Sequence, residues 1–191
     1  METNFETDIT QALEVLRRGG VILYPTDTVW GLGCSATDEE AISRIYRIKN
    51  RDDSKSLIIL AGEERDILKH VAAPDLRVFD FIQQQTKPTT IIFDQAIGLP
   101  ANLIASDGSI AIRIVKDEFC RHLIKRLRMP LVSTSANISG QPTPQTFDQI
   151  SPAIKQQVDY IVHYRQEDTT PAQPSQIIKW NNNGEHIVIR G

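Results

Sequence analysis

Short apolar runs, separated by turn-forming residues, are the feature that most constrains the fold of this chain. They are VILY (21–24), SLIIL (56–60), TTIIF (89–93), SIAIRI (109–114), PLVSTS (130–135) and DYIVHY (159–164). Each run is too short for an amphipathic helix and is rich in β-branched residues, so each predicts a strand. GLGC (31–34) is a further candidate strand, and QIIKW and HIVIR flank NNNG and predict a closing hairpin over 176–190.

Helical periodicity occurs between these runs. It predicts helices over 7–18, 39–49 and 117–127, two more between 63 and 85, and a weaker helical segment over 147–157. Helices and strands intermix without strict βαβ order, which favours an α/β fold with a mixed parallel and antiparallel sheet flanked by helices. We expect one domain over residues 1–191.

Composition excludes several classes of protein. Lys and Arg total 21 against 24 Asp and Glu, so any nucleic-acid binding must depend on a local basic patch. No apolar run approaches the length of a membrane span, and the acidic N-terminal segment lacks the apolar core of a signal peptide. Cys34 and Cys120 lie far apart without metal-type spacing. We therefore expect buried thiols in a cytoplasmic protein that contacts no membrane.

Hydroxyl and amide side chains cluster in three segments, which we expect to follow strands. These are PTDT (25–28), STSANISG (133–140) and PSQ (174–176). Loops at strand ends commonly bind ligands, and hydroxyls with exposed backbone N–H groups suit phosphate and carboxylate oxygens. Each segment taken alone is better explained by turn formation, because Ser, Thr, Asn and Pro are turn residues, whereas the three segments together strengthen the prediction of a ligand site.

Basic residues are concentrated at the end of the second predicted helix. They are Arg44, Arg47, Lys49, Arg51 and Lys55. Such a cluster typically binds phosphate, although cations also stabilise a helix C-terminus and could pair with the neighbouring Asp52 and Asp53. Arg113 interrupts an apolar strand, where it either meets a carboxylate or is a charge on an edge strand.

Several standard sites are excluded. The chain has no G-x-x-x-x-G-K-[ST] and no G-x-S-x-G, and its four histidines are scattered, so we predict no protein-bound metal. Gly31 to Ala36 match G-x-G-x-x-A. The acidic residues about 20 positions later precede a strand instead of ending one, so we reject a dinucleotide site.

Three motifs of the chain together resemble those of a known family. YPTDTVWGLGC, IKNRDDSKSL and PLVSTSANISGQPTP, in this order and spacing, are similar to the YrdC-like family of threonylcarbamoyl-AMP synthases. The resemblance implies an open, twisted α/β sandwich. It also implies a reaction of L-threonine, bicarbonate and ATP that yields threonylcarbamoyl-adenylate and pyrophosphate, for the t6A modification of tRNA. Mg²⁺ is expected with the triphosphate, and tRNA or double-stranded RNA and t6A transfer-complex proteins are expected partners.

The resemblance also implies roles for residues at matching positions. Threonine binding falls to Thr28, Arg113, Ser135 and Ser175. ATP binding falls to Arg51, Lys55, Ser109, Asn137 and Arg190. Catalysis falls to Lys49, Arg51, Ser135 and Asn137.

Two alternatives stay open at this point. One is a noncatalytic RNA-binding module that uses the same basic surface. The other is a paralogue that keeps the fold with another acceptor, because residues 86–90 and 175–177 depart from the family pattern.

Overall fold

A computed structural model describes residues 5–51 and 57–191. Its strands are β1 (Ile22–Tyr24), β2 (Gly31–Gly33), β3 (Ile58–Ala61), β4 (Thr89–Phe93), β5 (Ile110–Ile114), β6 (Leu131–Ser135), β7 (Tyr160–Ile161), β8 (Gln176–Trp180) and β9 (His186–Arg190). Its helices are α1 (Glu6–Arg17), α2 (Glu39–Lys49), α3 (Glu64–Leu68), α4 (Arg77–Gln84), α5 (Glu118–Leu127) and α6 (Pro152–Lys155), with short 3₁₀ turns at Ala101–Leu103 and Phe147–Gln149.

The nine strands found among the described residues form one open sheet in the order β7-β1-β2-β6-β3-β5-β4-β8-β9. The pairs β1–β7, β3–β5 and β4–β8 are parallel, and the other neighbouring pairs are antiparallel. Helices pack on this sheet, with α1 against both α5 and β1. The prediction of a mixed sheet flanked by helices is therefore confirmed.

Most element boundaries agree with the sequence within two residues, but β7 is shorter than the predicted strand over 159–164. Only Tyr160–Ile161 pairs with β1. The buried carboxylate of Asp8 accepts hydrogen bonds from the backbone N–H groups of His163 and Tyr164 at 3.0 and 2.8 Å. These groups are consequently unavailable for a strand ladder, and the strand ends.

Close packing between β1, β2 and β6 explains why residue 33, part of the rejected dinucleotide motif, is a glycine. Gly33 lies within β2, so it does not form a turn into a helix. A Cβ atom there would lie 2.6 Å from Cε1 of Tyr24 and 2.7 Å from the carbonyl oxygen of Val132. The glycine thus lets the Tyr24 ring pack against the backbone, which agrees with rejecting the motif.

The two ends of α2 determine where the basic segment leaves the helix. Asp38 caps the N-terminus by accepting a hydrogen bond from Ala41 N at 2.9 Å. Asn50, in the left-handed conformation at φ 48°, ends the helix. The chain therefore turns at Asn50 and directs Arg51 away from the helix axis.

The structure also shows the surroundings of the two cysteines and the lengths of the helices. Cys34 and Cys120 are both buried and unpaired with each other, as predicted. Among the described residues, no helix combines the length and apolarity that crossing a membrane requires.

Candidate functional site

A pocket of about 190 Å³ opens where β2, β3 and β6 meet the ends of β8 and β9. Its polar lining comprises Thr28, Arg51, Arg113, Ser133, Thr134, Ser135, Thr143, Ser175 and Arg190. The described part of the lining thus carries three guanidinium groups, six hydroxyls and no carboxylate. Such a lining attracts anions and supplies hydrogen bonds to their oxygens.

The PTDT turn forms one wall of the pocket. Thr26 donates its hydroxyl to the carbonyl of Val29 at 2.9 Å and accepts a hydrogen bond from the Thr28 N–H at 3.0 Å. The hydroxyls of Thr26 and Thr28 lie 3.0 Å apart. Because the Thr26 proton is engaged with Val29, Thr28 donates to Thr26 and keeps its oxygen available as an acceptor at the pocket wall.

Lys49 lies beneath the STSAN segment, not at the pocket wall. Its side chain is almost fully buried, with 1% of its surface exposed. The ammonium donates hydrogen bonds to the carbonyl oxygens of Ser135 at 2.5 Å and Asn137 at 2.7 Å. Burial, reinforced by the nearby charge of Arg51, lowers the Lys49 pKa to about 7. In this structure Lys49 fixes the backbone that presents Ser135 and Asn137.

Asn137 also uses its side chain within its own loop. Its amide nitrogen donates to the carbonyls of Ile138 at 3.1 Å and Gln141 at 2.8 Å. Its Oδ1 atom is buried and accepts no hydrogen bond from the described residues. An acceptor is therefore available at this loop, although Asn137 does not line the pocket described above.

Two of the pocket arginines lie on β5, in the interior of the sheet, and on β9, at its edge. Arg113 on β5 is 3% exposed, and its guanidinium lies 3.1 Å from Oδ1 of Asp27. Arg113 thus meets a carboxylate, as predicted. Because β5 lies between β3 and β4, the alternative of a charge on an edge strand is wrong. Arg190 donates to the Ser175 carbonyl at 2.7 and 3.0 Å. The residue is exposed overall, but partial desolvation of its guanidinium, together with the charge of Arg113, lowers the Arg190 pKa.

The PSQ segment contributes to the pocket, but its position relative to the strands differs from our prediction. Pro174 and Ser175 directly precede β8 and Gln176 begins it, so the segment leads into a strand instead of following one. Ser175 is 4% exposed and shares a hydrogen bond of 2.8 Å with the hydroxyl of Thr90 on β4. β4 and β8 pair in parallel, so the start of β8 meets the sheet where Thr90 can fix the serine.

The remaining cations separate in space. Arg44 forms an ion pair with Asp159 at 2.5 Å, and Arg47 forms one with Glu40 at 2.6 Å, both away from the pocket. Arg51 lines the pocket, and burial lowers its pKa. Lys55, predicted to bind ATP, lies outside the described residues, as do Asp52 and Asp53.

Ser109 is a predicted nucleotide contact that the structure does not bring into the pocket lining. It precedes β5, and its hydroxyl donates to Oδ1 of Asp107 at 2.6 Å. Its role in nucleotide binding stays a prediction.

Sequence reasoning missed four polar residues at or beside the pocket. Ser133, Thr134 and Thr143 contribute hydroxyls to the lining, and Asp27 contacts Arg113. Each lies in a segment that was singled out, or next to one, but its direction depends on tertiary contacts. A carboxylate between two threonines in PTDT was the one available signal for Asp27.

The described residues contain no group of three or more His, Cys, Asp or Glu side chains that could hold a metal ion. The pocket lining that the structure describes includes no His or Cys either. The three guanidinium groups and six hydroxyls of the lining favour binding and orienting anionic groups.

The fold and the pocket define an α/β protein with an open mixed sheet and a polar, arginine-lined pocket suited to a small anionic ligand. The chain belongs to the Sua5/YciO/YrdC family, described as "Telomere recombination", whose model matches residues 14–191.

Relatives in sequence share one name. The chain is 33% identical over 189 residues to a threonylcarbamoyl-AMP synthase of Pseudoalteromonas translucida, an alignment that covers 97% of this chain and 98% of the relative. It is 34% identical to the enzyme of that name from Xanthomonas euvesicatoria, covering 89% and 91% of the two chains.

Solved structures show the same fold. E. coli YciO superposes with a TM-score of 0.80 at 26% identity, over 96% of this chain and 88% of that one. P. abyssi Sua5, solved with L-threonine, gives a TM-score of 0.85 at 23% identity. This second match covers 97% of the chain but only 54% of Sua5, so the chain spans about half of that longer protein.

Proposed function

We propose that this protein is a threonylcarbamoyl-AMP synthase, which converts L-threonine, bicarbonate and ATP into threonylcarbamoyl-adenylate and pyrophosphate. The observation that carries the proposal is the convergence of Arg51, Arg113 and Arg190 on one hydroxyl-lined pocket without a carboxylate among its described residues. The names of the sequence relatives support the same reaction.

The reaction needs little covalent chemistry from the protein. The neutral amine of threonine takes up CO₂ derived from bicarbonate and loses a proton, which forms a carbamate. A carbamate oxygen then attacks the α-phosphorus of ATP, and the bond to the bridging oxygen breaks as pyrophosphate leaves. Positioning and neutralisation of negative charge are the main requirements of such a transfer, and the arginines supply both.

The threonine subsite is proposed at the inner end of the pocket. Arg113 binds the threonine carboxylate, because it is buried, whereas Arg51 is half-buried and Arg190 is exposed. The hydroxyls of Thr28, Ser135 and Ser175 bind the polar groups of the amino acid. A guanidinium in a nearly dry position binds a carboxylate more strongly than one in water.

The nucleotide subsite is proposed around the other two arginines. Arg51 and Arg190 bind phosphate oxygens, assisted by Lys55, and Asn137 and Ser109 contact the nucleotide. Lys49 acts by holding the backbone of Ser135 and Asn137 in place, which keeps these groups oriented before the substrates bind. Magnesium arrives with the triphosphate and is held mainly by phosphate oxygens, as part of the substrate.

The product is an activated adenylate, so a second activity must consume it. We propose that t6A transfer proteins accept it for tRNA modification in the cytoplasm, and that RNA binding, where it occurs, uses the cations around the pocket. RNA binding of this kind weakens with salt, which a titration of a tRNA at rising ionic strength measures.

Pyrophosphate release tests the proposed reaction. Purified protein is incubated with ATP, L-threonine and bicarbonate, and each substrate is omitted in turn. We expect release that requires all three, and a fall of about 10-fold or more in kcat/KM for ATP in Arg51→Ala. Release that persists without threonine would instead favour a paralogue with another acceptor, and no release would contradict the proposal.

A further inference from the structure

The ion pair between Asp27 and Arg113 lies at the pocket wall, with Arg113 in the lining and Asp27 behind it. The two side chains are 13% and 3% exposed, and the closest charged atoms lie 3.1 Å apart. A charge in the middle of a sheet requires a partner, because an unpaired buried guanidinium is strongly destabilising. Asp27 is the only carboxylate within ion-pair distance of Arg113 among the described residues.

The pair is incomplete in its hydrogen bonding. Oδ1 of Asp27 and Nε of Arg113 are both buried, and neither has a hydrogen-bond partner in the described part of the chain. The contact has the distance of an ion pair without the alignment of a hydrogen bond. Asp27 therefore neutralises the guanidinium while leaving most of its five N–H donors for another oxygen ligand.

The backbone around Asp27 is fixed on both sides. Thr26 and Thr28 are joined by the hydrogen bonds of the PTDT turn. Arg165 donates to the carbonyl of Thr26 at 3.3 Å and pairs with Asp117 at 2.5 Å, which ties the turn to the start of α5. The backbone that carries Asp27 is thus fixed, and the longer Arg113 side chain, which has more rotatable bonds, is the group that the carboxylate orients.

We propose that Asp27 is a positioning residue that aims the guanidinium of Arg113 at the carboxylate of the amino-acid substrate. This inference rests on the proposed function, in which Arg113 binds that carboxylate. Asp27 itself does not line the pocket, so it acts through Arg113 and not by contact with substrate. A role in charge compensation alone would affect stability without affecting threonine binding selectively.

Calorimetric titration of L-threonine, with a nonhydrolysable ATP analogue present, tests the inference. Asp27→Asn keeps the shape of the side chain and removes its charge. We expect threonine affinity to fall about 10-fold or more, since hydrogen bonds to charged groups are worth that much, with ATP-analogue affinity changed less than about twofold. Asp159→Asn is the matched control, because Asp159 also pairs with an arginine but lies outside the pocket lining. It should leave both affinities unchanged.

Asp27→Glu separates positioning from charge compensation. It also provides a second test if the asparagine variant fails to fold. It retains the negative charge but moves it by one methylene, so positioning predicts weaker threonine binding, whereas compensation predicts wild-type binding. Wild-type threonine affinity in both foldable variants, or equal loss of threonine and ATP-analogue affinity, would overturn the inference.

Arg113→Ala distinguishes the inference from the proposal on which it rests. If this variant binds threonine as tightly as the wild type, the proposed role of Arg113 is wrong, and the role of Asp27 falls with it. If Arg113→Ala loses threonine binding and the Asp27 variants keep it, only the inference about Asp27 is wrong.

Discussion

Replacing Lys49 by methionine removes a buried charge while keeping an unbranched side chain of similar length. In the wild type, Lys49 is 1% exposed and its ammonium is hydrogen-bonded to the carbonyls of Ser135 and Asn137. Burial lowers its pKa from 10.5 to about 7. Between pH 7 and 10.5, Lys49 is therefore protonated in the unfolded chain but largely deprotonated in the folded protein.

The sign of the effect follows from this difference in bound protons. Where the unfolded state binds more protons, the free energy of unfolding rises with pH. Integrating the two titrations from about pH 7 to about pH 8.5 gives a rise of roughly 1.5 kcal/mol from Lys49 alone. Lys49→Met lacks this contribution. The stability of the wild type relative to the variant should therefore increase by that amount over the interval.

Urea unfolding followed by tryptophan fluorescence measures this difference at several pH values. The buried Cys34, Cys120 and Tyr24, whose pKa values are raised by burial, give the opposite slope at higher pH, but both proteins contain them, so this slope cancels in the difference. Lys125→Met, at an exposed helix position, controls for the substitution itself. A stability difference that is constant over this interval, or that shrinks, would refute the argument that burial dominates at Lys49.

Two further changes test the packing and the polar contacts of the fold. Gly33→Ala should lower stability by about 1–3 kcal/mol in thermal unfolding, because its Cβ would lie 2.6 Å from the Tyr24 ring, whereas Gly62→Ala, with its nearest contact at 3.5 Å, should be nearly neutral. Equal effects of the two would contradict this account of Gly33. Asp8→Asn should lower the free energy of unfolding by about 1–3 kcal/mol at neutral pH, because the Asp8 carboxylate accepts hydrogen bonds from His163, Tyr160 and Tyr164. Burial would raise the Asp8 pKa, but these hydrogen bonds outweigh burial and lower the pKa. That stabilisation is present above the unfolded pKa of 3.8 and is lost as pH falls through the folded pKa, so the stabilities of the two proteins should converge in acid. A stability difference that persists in acid would contradict this account of Asp8.

The sequence predicted most of the fold because its elements carry strong local signals. The helix over 39–49 was predicted with its observed bounds, since Asp38 caps it and its apolar residues have helical spacing. The strand over 159–164 was wrong in length because Asp8, more than 150 residues away, takes up its backbone donors. The prediction of one domain over 1–191 stays a prediction.

The candidate site was predictable only as a set of residue types. Motif resemblance named Arg51, Arg113, Ser135 and Ser175, which the structure brings into one pocket. It did not reveal that Lys49 lies beneath this pocket, because burial and the choice of carbonyl partners are tertiary properties.

Mass spectrometry of the reaction product tests the central claim most directly. The protein is incubated with ATP, L-threonine and ¹³C-labelled bicarbonate, and the nucleotide products are separated at once. The proposed reaction predicts threonylcarbamoyl-adenylate that carries one ¹³C atom and is formed in step with pyrophosphate. AMP and pyrophosphate without a labelled adenylate, or a labelled adenylate that lacks threonine, would contradict it.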